Sequence, residues 1–229
     1  MHATLALSRT PVLLSGVLLL LLTGTAFGKP PTKKQIDQTL LTVDTADMAP
    51  VKEAEDALHA GGQHEAQVAT ELANARLDQA AAKAWVDASA AVGKALESSR
   101  KAADAANRAA ELEDLAGRIA RAGKTSEWRS ARLDAAKKGV ALQQARLAWA
   151  KAENARLKLA LDLVRLQTYV KAIKNDVEAA NEGNAEAGRV QTKEAKQARI
   201  ANKERGKAEK AERALSDATL RAEALDPSR

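Results

Sequence analysis

Residues 128–180 read WRSARLDAAKKGVALQQARLAWAKAENARLKLALDLVRLQTYVKAIKNDVEAA, and their apolar spacing decides the fold. Steps of three and four connect Trp128, Ala131, Ala135, Lys138, Leu142, Ala145, Trp149, Ala152, Arg156, Leu159, Leu163, Leu166, Val170, Ile173, Val177 and Ala180. Only Lys138 and Arg156 interrupt the apolar character of this stripe. Alternating steps of this kind keep one seam of a slightly underwound helix facing a partner helix, which is the requirement for knobs-into-holes packing. A second row on the same stretch (Leu133, Val140, Leu147, Leu157, Leu161, Val164) means that this helix serves more than one neighbour.

The composition agrees with long helices. About a quarter of the residues after position 28 are alanine, 29% of the chain is charged and only 2% is aromatic. Such a mixture with helical periodicity belongs to extended helices rather than a compact globule. No proline lies between Pro50 and Pro227, so no residue there lacks an amide donor. β-branched and aromatic residues never alternate convincingly, which leaves no strand. Alanine buries little area, so burial must run along narrow seams. The class expected is all-α.

The first 28 residues have the layout of a secretory signal peptide. His2 and Arg9 give a weakly basic start, Val12 to Leu22 is an apolar run, and Ala26-Phe27-Gly28 supplies the small residues for cleavage after Gly28. A retained anchor is the alternative, on a run extended from Pro11 to Phe27, although a membrane span needs about 20 residues. The chain has no cysteine, which excludes a lipid-modified lipoprotein and any disulfide. These features point to export into the periplasm of a Gram-negative bacterium, or to inner-membrane anchoring if the leader is retained.

After a linker at 29–32, one elongated helical domain is expected over 33–226. Its first helix covers about 33–60, interrupted near Asp47 and Pro50 and stopped by Gly61-Gly62. The second runs over about 63–121 on an alanine ladder (Leu77, Ala81, Ala84, Ala88, Ala91, Ala95, Ser98, Ala102, Ala105, Ala109, Leu112, Ala116, Ile119) and ends at Gly123. The third covers about 125–182, and Gly183 and Gly188 separate it from a last helix at about 189–225. Matched lengths and a short turn make the second and third helices a long antiparallel coiled-coil hairpin. The shorter flanking helices dock at its open end, leaving a two-helix arm that projects to Gly123.

Arg118, Arg121, Lys124, Arg129 and Arg132 would make the tip of that arm basic, a candidate contact for anionic headgroups, an acidic partner or a client chain. The plainer reading is solvated cations near a helix C-terminus. Lys138 and Arg156 are expected to extend past the seam toward acids on the facing helix, Lys138 to Asp104 and Glu111, Arg156 to Asp87. His59 and His64 straddle the expected break without a third ligand at hand, so no metal site is expected. Between Arg189 and Arg213 nine basic residues face four acidic ones. Nucleic acid is an improbable partner there, since no aromatic is present for base stacking, which leaves a solvated face or attraction to anionic envelope polymers. No cysteine nucleophile, Gly-rich phosphate loop or His–carboxylate constellation points to catalysis, so neither enzyme activity, a cofactor nor a small-molecule substrate is expected.

From Ala54 to about Ala120, the turn Ala60-Gly61-Gly62 followed by Leu-and-Ala steps (Glu71-Leu72, Ala75, Leu77, Ala80) resembles the Ala-rich helical domains of unknown function in bacterial envelope proteins. The projecting arm resembles, in general form, periplasmic holdases of the Skp type. The residues favour a non-enzymatic periplasmic scaffold or spacer that contacts a protein partner, or a second copy of itself, through helical surfaces. A holdase chaperone and a membrane-anchored helical partner of a secretion or efflux assembly are the alternatives.

Overall fold

The computed structural model describes residues 30–228; the leader expected over 1–28, and its cleavage after Gly28, lie outside them. Four helices follow one another: α1 (Lys33–Leu40), α2 (Thr45–Ala105), α3 (Ala109–Ala172) and α4 (Val177–Ala224). The chain is all-α, with two long central helices forming a hairpin and a shorter helix on either side of them in sequence. α2 has 61 residues and α3 has 64, so each is more than 90 Å long at about 1.5 Å per residue. No helix among the described residues is long and apolar enough to cross a membrane.

The ends of the helices differ from those expected, each for a local reason. The hairpin turns at Ala106-Asn107-Arg108, not at Gly123. There Asn107 adopts φ 52°, the Arg108 amide donates to the Ala103 carbonyl at 3.1 Å, and the Asn107 amide donates to that of Asp104 at 3.0 Å. This pair of bonds is the Schellman closure usually built on glycine; asparagine is the residue that most readily replaces glycine in the left-handed region. Gly123 lies inside α3.

Gly61 and Gly62 do not stop a helix either. A Cβ on Gly61 would sit 2.8 Å from Leu157 Cδ1, so the missing side chain lets α2 approach α3. The expected first helix is divided instead at residues 41–44. Thr32 and Gln35 form a capping box on α1, and Asp44 occupies the N-cap position of α2. Asp47, expected as that cap, stands in the first turn, where its charge favours the helix dipole.

Between α3 and α4 the chain reverses at residues 173–176. The Asp176 carboxylate accepts a hydrogen bond from the Ala179 amide at 3.1 Å and starts α4 there. Gly183 and Gly188, expected as the break, are interior to α4. Gly183 is buried, and a Cβ on it would lie 2.6 Å from Val170 Cγ2.

α3 is the central element: α2 and α4 both pack along it and scarcely touch each other. Both of its expected apolar rows are used, with Leu142, Ala152 and Leu166 buried from the first and Val140 and Leu161 from the second. The register of α2 on α3 is fixed by Gly61 against Leu157, Asn154 Nδ2 donating to Glu65 at 2.9 Å, and Arg165 paired with Glu55 at 2.6 Å. Arg165 also lies 4.0 Å from Asp37 and so ties α1 to the same end. On the other side, Gln197 donates to the Ala152 carbonyl at 3.2 Å and Arg146 pairs with Glu212 at 3.2 Å.

The seam that α2 offers to α3 is not the expected alanine ladder. Val51, Val68, Leu72, Ala82, Ser89, Leu96 and Ala103 are buried, the last four at heptad intervals. The ladder from Leu77 to Ala105 is exposed throughout. Of its continuation, Leu112 and Ile119 belong to α3 and pack, with Ala122, on a core of Leu96, Ala103 and Leu115. That core fills a two-helix arm beyond the end of α4, about 30 Å long at 1.5 Å per residue, running from the Trp85–Trp128 level to Asn107.

Candidate functional site

The five cations expected at a tip are distributed along the first half of α3 instead, because the turn lies at Asn107. Arg118 is exposed and 3.7 Å from Asp114. Arg121 borders a shallow hollow with Ala110, Glu113, Asp114 and Gly117. Lys124 is exposed. At the turn itself Arg108 pairs with Glu111 at 3.1 Å.

Arg129 and Arg132 have structural work at the base of the arm. Arg129 donates to Ser89 Oγ at 2.6 Å and to the Trp85 carbonyl at 3.3 Å. Ser89 is buried at 7% exposure, and its hydroxyl also donates to the Trp85 carbonyl at 2.9 Å, so this inward-facing polar group is fully satisfied. The Arg132 guanidinium lies 5.4 Å from the centroid of the Trp85 ring and 5.2 Å from that of Trp128. Each contact is within cation–π range and contributes about 0.5–1 kcal/mol at an exposed site.

These two tryptophans and Arg132 stand in the wall of a groove of about 630 Å³ where α4 ends. Ala75, Ala82 and Trp85 come from α2, Trp128, Arg132 and Gly139 from α3, and Leu215, Ala222 and Glu223 from α4. Its lining is mostly small and apolar, with Asp78, Arg132, Thr219, Glu223 and Asp226 as its polar residues. Apolar spacing places Trp128 on the α3 seam. It misses the groove, because the end of α4 has no predicted position along α3.

Lys138 and Arg156 separate in behaviour. Lys138 is exposed and distant from Asp104 and Glu111, which stand at the opposite turn. Arg156 is half-buried and joins Glu153 at 2.6 Å to Glu194 of α4 at 3.0 Å, not Asp87 of α2. The hydrogen bonds to Glu153 and then to Glu194 hold its pKa above the ordinary arginine value, against burial, which acts to lower it. Tyr169 is buried against Gly183; burial first, then Asp176 and Glu182, raises its pKa.

Both histidines are inside α2. The Gln63 amide lies 3.0 Å from His59 Nε2, and His64 meets the Trp149 ring edge-on with centroids 6.3 Å apart. Among the described residues no group of three or more His, Cys, Asp or Glu side chains is placed to share an ion.

The basic residues of α4 are sorted by side. Its buried seam runs through Gly183, Val190, Ala201, Ala208, Ala218 and Ala222. Glu194 and Glu204 stand on the same line, whereas the lysines between Lys193 and Lys210 are exposed. Compared with family models, with curated proteins and with solved structures, the chain matches none.

Proposed function

We propose that this chain is a non-enzymatic scaffold or spacer of the bacterial cell envelope, exported to the periplasm, that acts by helix–helix contact with another protein or a second copy of itself. One observation carries the reading: α2 bears a second 3–4 ladder, Leu77 to Ala105, on a side that neither α3 nor α4 covers. High helix propensity accounts for alanine on an exposed face. It does not account for Leu77 at 69% exposure on the ladder itself, or for Val92 at 52% on its shoulder. A helix satisfied on one seam and apolar at the same period on another is suited to a further helix.

The absence of cysteine makes the test direct. Ala88→Cys, on the exposed ladder, and Gln144→Cys, on the exposed side of α3, are each labelled with a thiol-linked photo-crosslinker in cells that export the chain. A discrete protein adduct at position 88 and none at 144 is expected. Equal adducts at both positions, or none at 88, refute the reading.

The groove favours a second reading, a holdase that takes a short apolar client segment against Trp85 and Trp128. Aggregation of an unfolded client in the presence of the chain tests it. Suppression that falls on Trp85→Ala supports the holdase; no suppression at a stoichiometric ratio removes it.

A further inference from the structure

Charge on α4 is sorted by face as well as by count. A ladder of positions along one outward flank of the helix, taken in steps of three and four from Arg189 to Arg213, holds basic residues at every rung and no acid. The four acidic residues of this interval are elsewhere. Glu194 and Glu204 lie in the seam, Glu212 reaches across to Arg146, and Glu209 pairs with Arg205 on the other flank. On the basic ladder, Arg189 and Lys207 each have an acidic neighbour within their own helix, Glu186 and Glu204. Lys193, Lys196, Arg199, Lys203, Lys210 and Arg213 are exposed, with no carboxylate within ion-pair distance among the described residues.

These six cations lie on a straight ridge about 30 Å long, from the rise of about 1.5 Å per residue. The ridge is the outward surface of a single helix and so convex; the two hollows described above lie elsewhere, between α2, α3 and the end of α4 and along the arm. A linear polyanion is held by a channel that follows its backbone and by aromatic side chains that stack its bases. The ridge has neither, and four of its six cations are lysines, which act as hydrated point charges rather than bidentate forks. A line of such charges on a rigid rod meets a plane of negative charge all at once.

We propose that the outward face of α4 is a docking surface for an anionic phospholipid bilayer, on which the rod lies lengthwise. This face is on a different helix from the exposed ladder of α2, so the scaffold reading and the bilayer contact can fail separately. Each cation near an anionic bilayer contributes about fivefold to binding, the equivalent of about 1 kcal/mol. The attraction is screened over a Debye length of about 8 Å at physiological salt.

The test is co-flotation of the full chain with vesicles of two parts phosphatidylcholine to one part phosphatidylglycerol, and with pure phosphatidylcholine. The same full chain is used throughout, so any contribution of residues 12–22 is common to every measurement. Tighter binding to the anionic vesicles, weakened by salt, is expected. The variant K193Q/K196Q/K203Q/K210Q should lose about two orders of magnitude or more of that preference, at about fivefold per charge. The control K52Q/K83Q/K94Q/K101Q on α2, with the same change in net charge, should lose far less. Equal binding to both vesicles by the unaltered chain, or equal losses from the two variants, overturns the proposal. So does stronger binding to soluble polyphosphate than to anionic vesicles at equal phosphate concentration, which would assign the ridge to a linear polyanion.

Discussion

Gly123→Ala changes stability in opposite directions depending on whether residue 123 continues a helix or closes one. In the structure Gly123 is exposed in the interior of α3, and a Cβ built on it has nothing within 4 Å. There is therefore neither a packing gain nor a clash, and only backbone propensity remains. Alanine exceeds glycine in an exposed helix interior by about 1 kcal/mol. At a left-handed helix end the same alanine would cost about 1–2 kcal/mol. The two cases differ by about 2–3 kcal/mol by these terms, well above the error of a urea titration followed by circular dichroism. The expected result is a higher urea midpoint, with slower amide exchange over residues 115–130 in case the arm opens before the body. A lower midpoint, or faster exchange there, would refute the continuous α3 and with it the turn at Asn107.

Three further outcomes follow from contacts already described. Gly183→Ala should destabilise by up to about 2 kcal/mol, because overpacking a β-branched Val170 costs about 1–3 kcal/mol against a propensity gain of about 1, and Val170→Ala in the same chain should restore the loss. Arg156→Met should lower the thermal midpoint by several degrees, since hydrogen bonds to charged groups contribute about 1.5–3 kcal/mol and Glu194 is left without its partner; an unchanged midpoint would mean that the pair across α3 and α4 contributes nothing. Tyr169 has a raised folded-state pKa from burial, so its contribution is complete below the ordinary tyrosine pKa of about 10 and is lost as pH rises from there through the folded value. Tyr169→Phe should flatten that alkaline loss in a series of urea titrations, and an unaltered pH profile would refute the assignment.

Much of the fold is legible where side chains are large. The stripe from Trp128 to Val170 and its second row contain leucine, valine and tryptophan, whose burial leaves one register, and the prediction that α3 serves two neighbours follows from them. The seam of α4 through Ala201, Ala208 and Ala218 is marked as well, because lysines and arginines occupy the outward positions. α2 is different. Alanine recurs so often between residues 73 and 106 that two 3–4 ladders coexist, and the buried one contains Ser89 and Gly93 while the exposed one is nearly pure alanine. Apolar spacing favours the wrong ladder; only the positions of Val51, Val68, Leu72 and Leu96 identify the right one.

The turns are hidden from apolar spacing for a related reason. Glycine marks helix ends by tolerating the left-handed region, but here Gly61 and Gly183 serve close approach between helices and Asn107 supplies the left-handed residue. The position of the turn also decides the roles of the candidate residues. With the reversal at Asn107, Arg129 and Arg132 become braces at the base of the arm, and the groove beside them arises only once the end of α4 is placed.

The two reversals have a consequence for how the chain assembles. Contacts near Asn107 and near residues 173–176 join parts of the chain close in sequence, whereas Ser89 with Arg129 spans 40 residues and Glu55 with Arg165 spans 110. Each doubling of a closed loop costs about 0.6 kcal/mol, so pairing that begins at a turn and propagates outward is the cheapest order. Pairing of α2 therefore advances along α3 from Ala109 toward Ala172, and that of α4 advances from Ala172 toward Arg132. The central helix is zipped from both ends on different faces, and the short α1, held through Arg165, closes last.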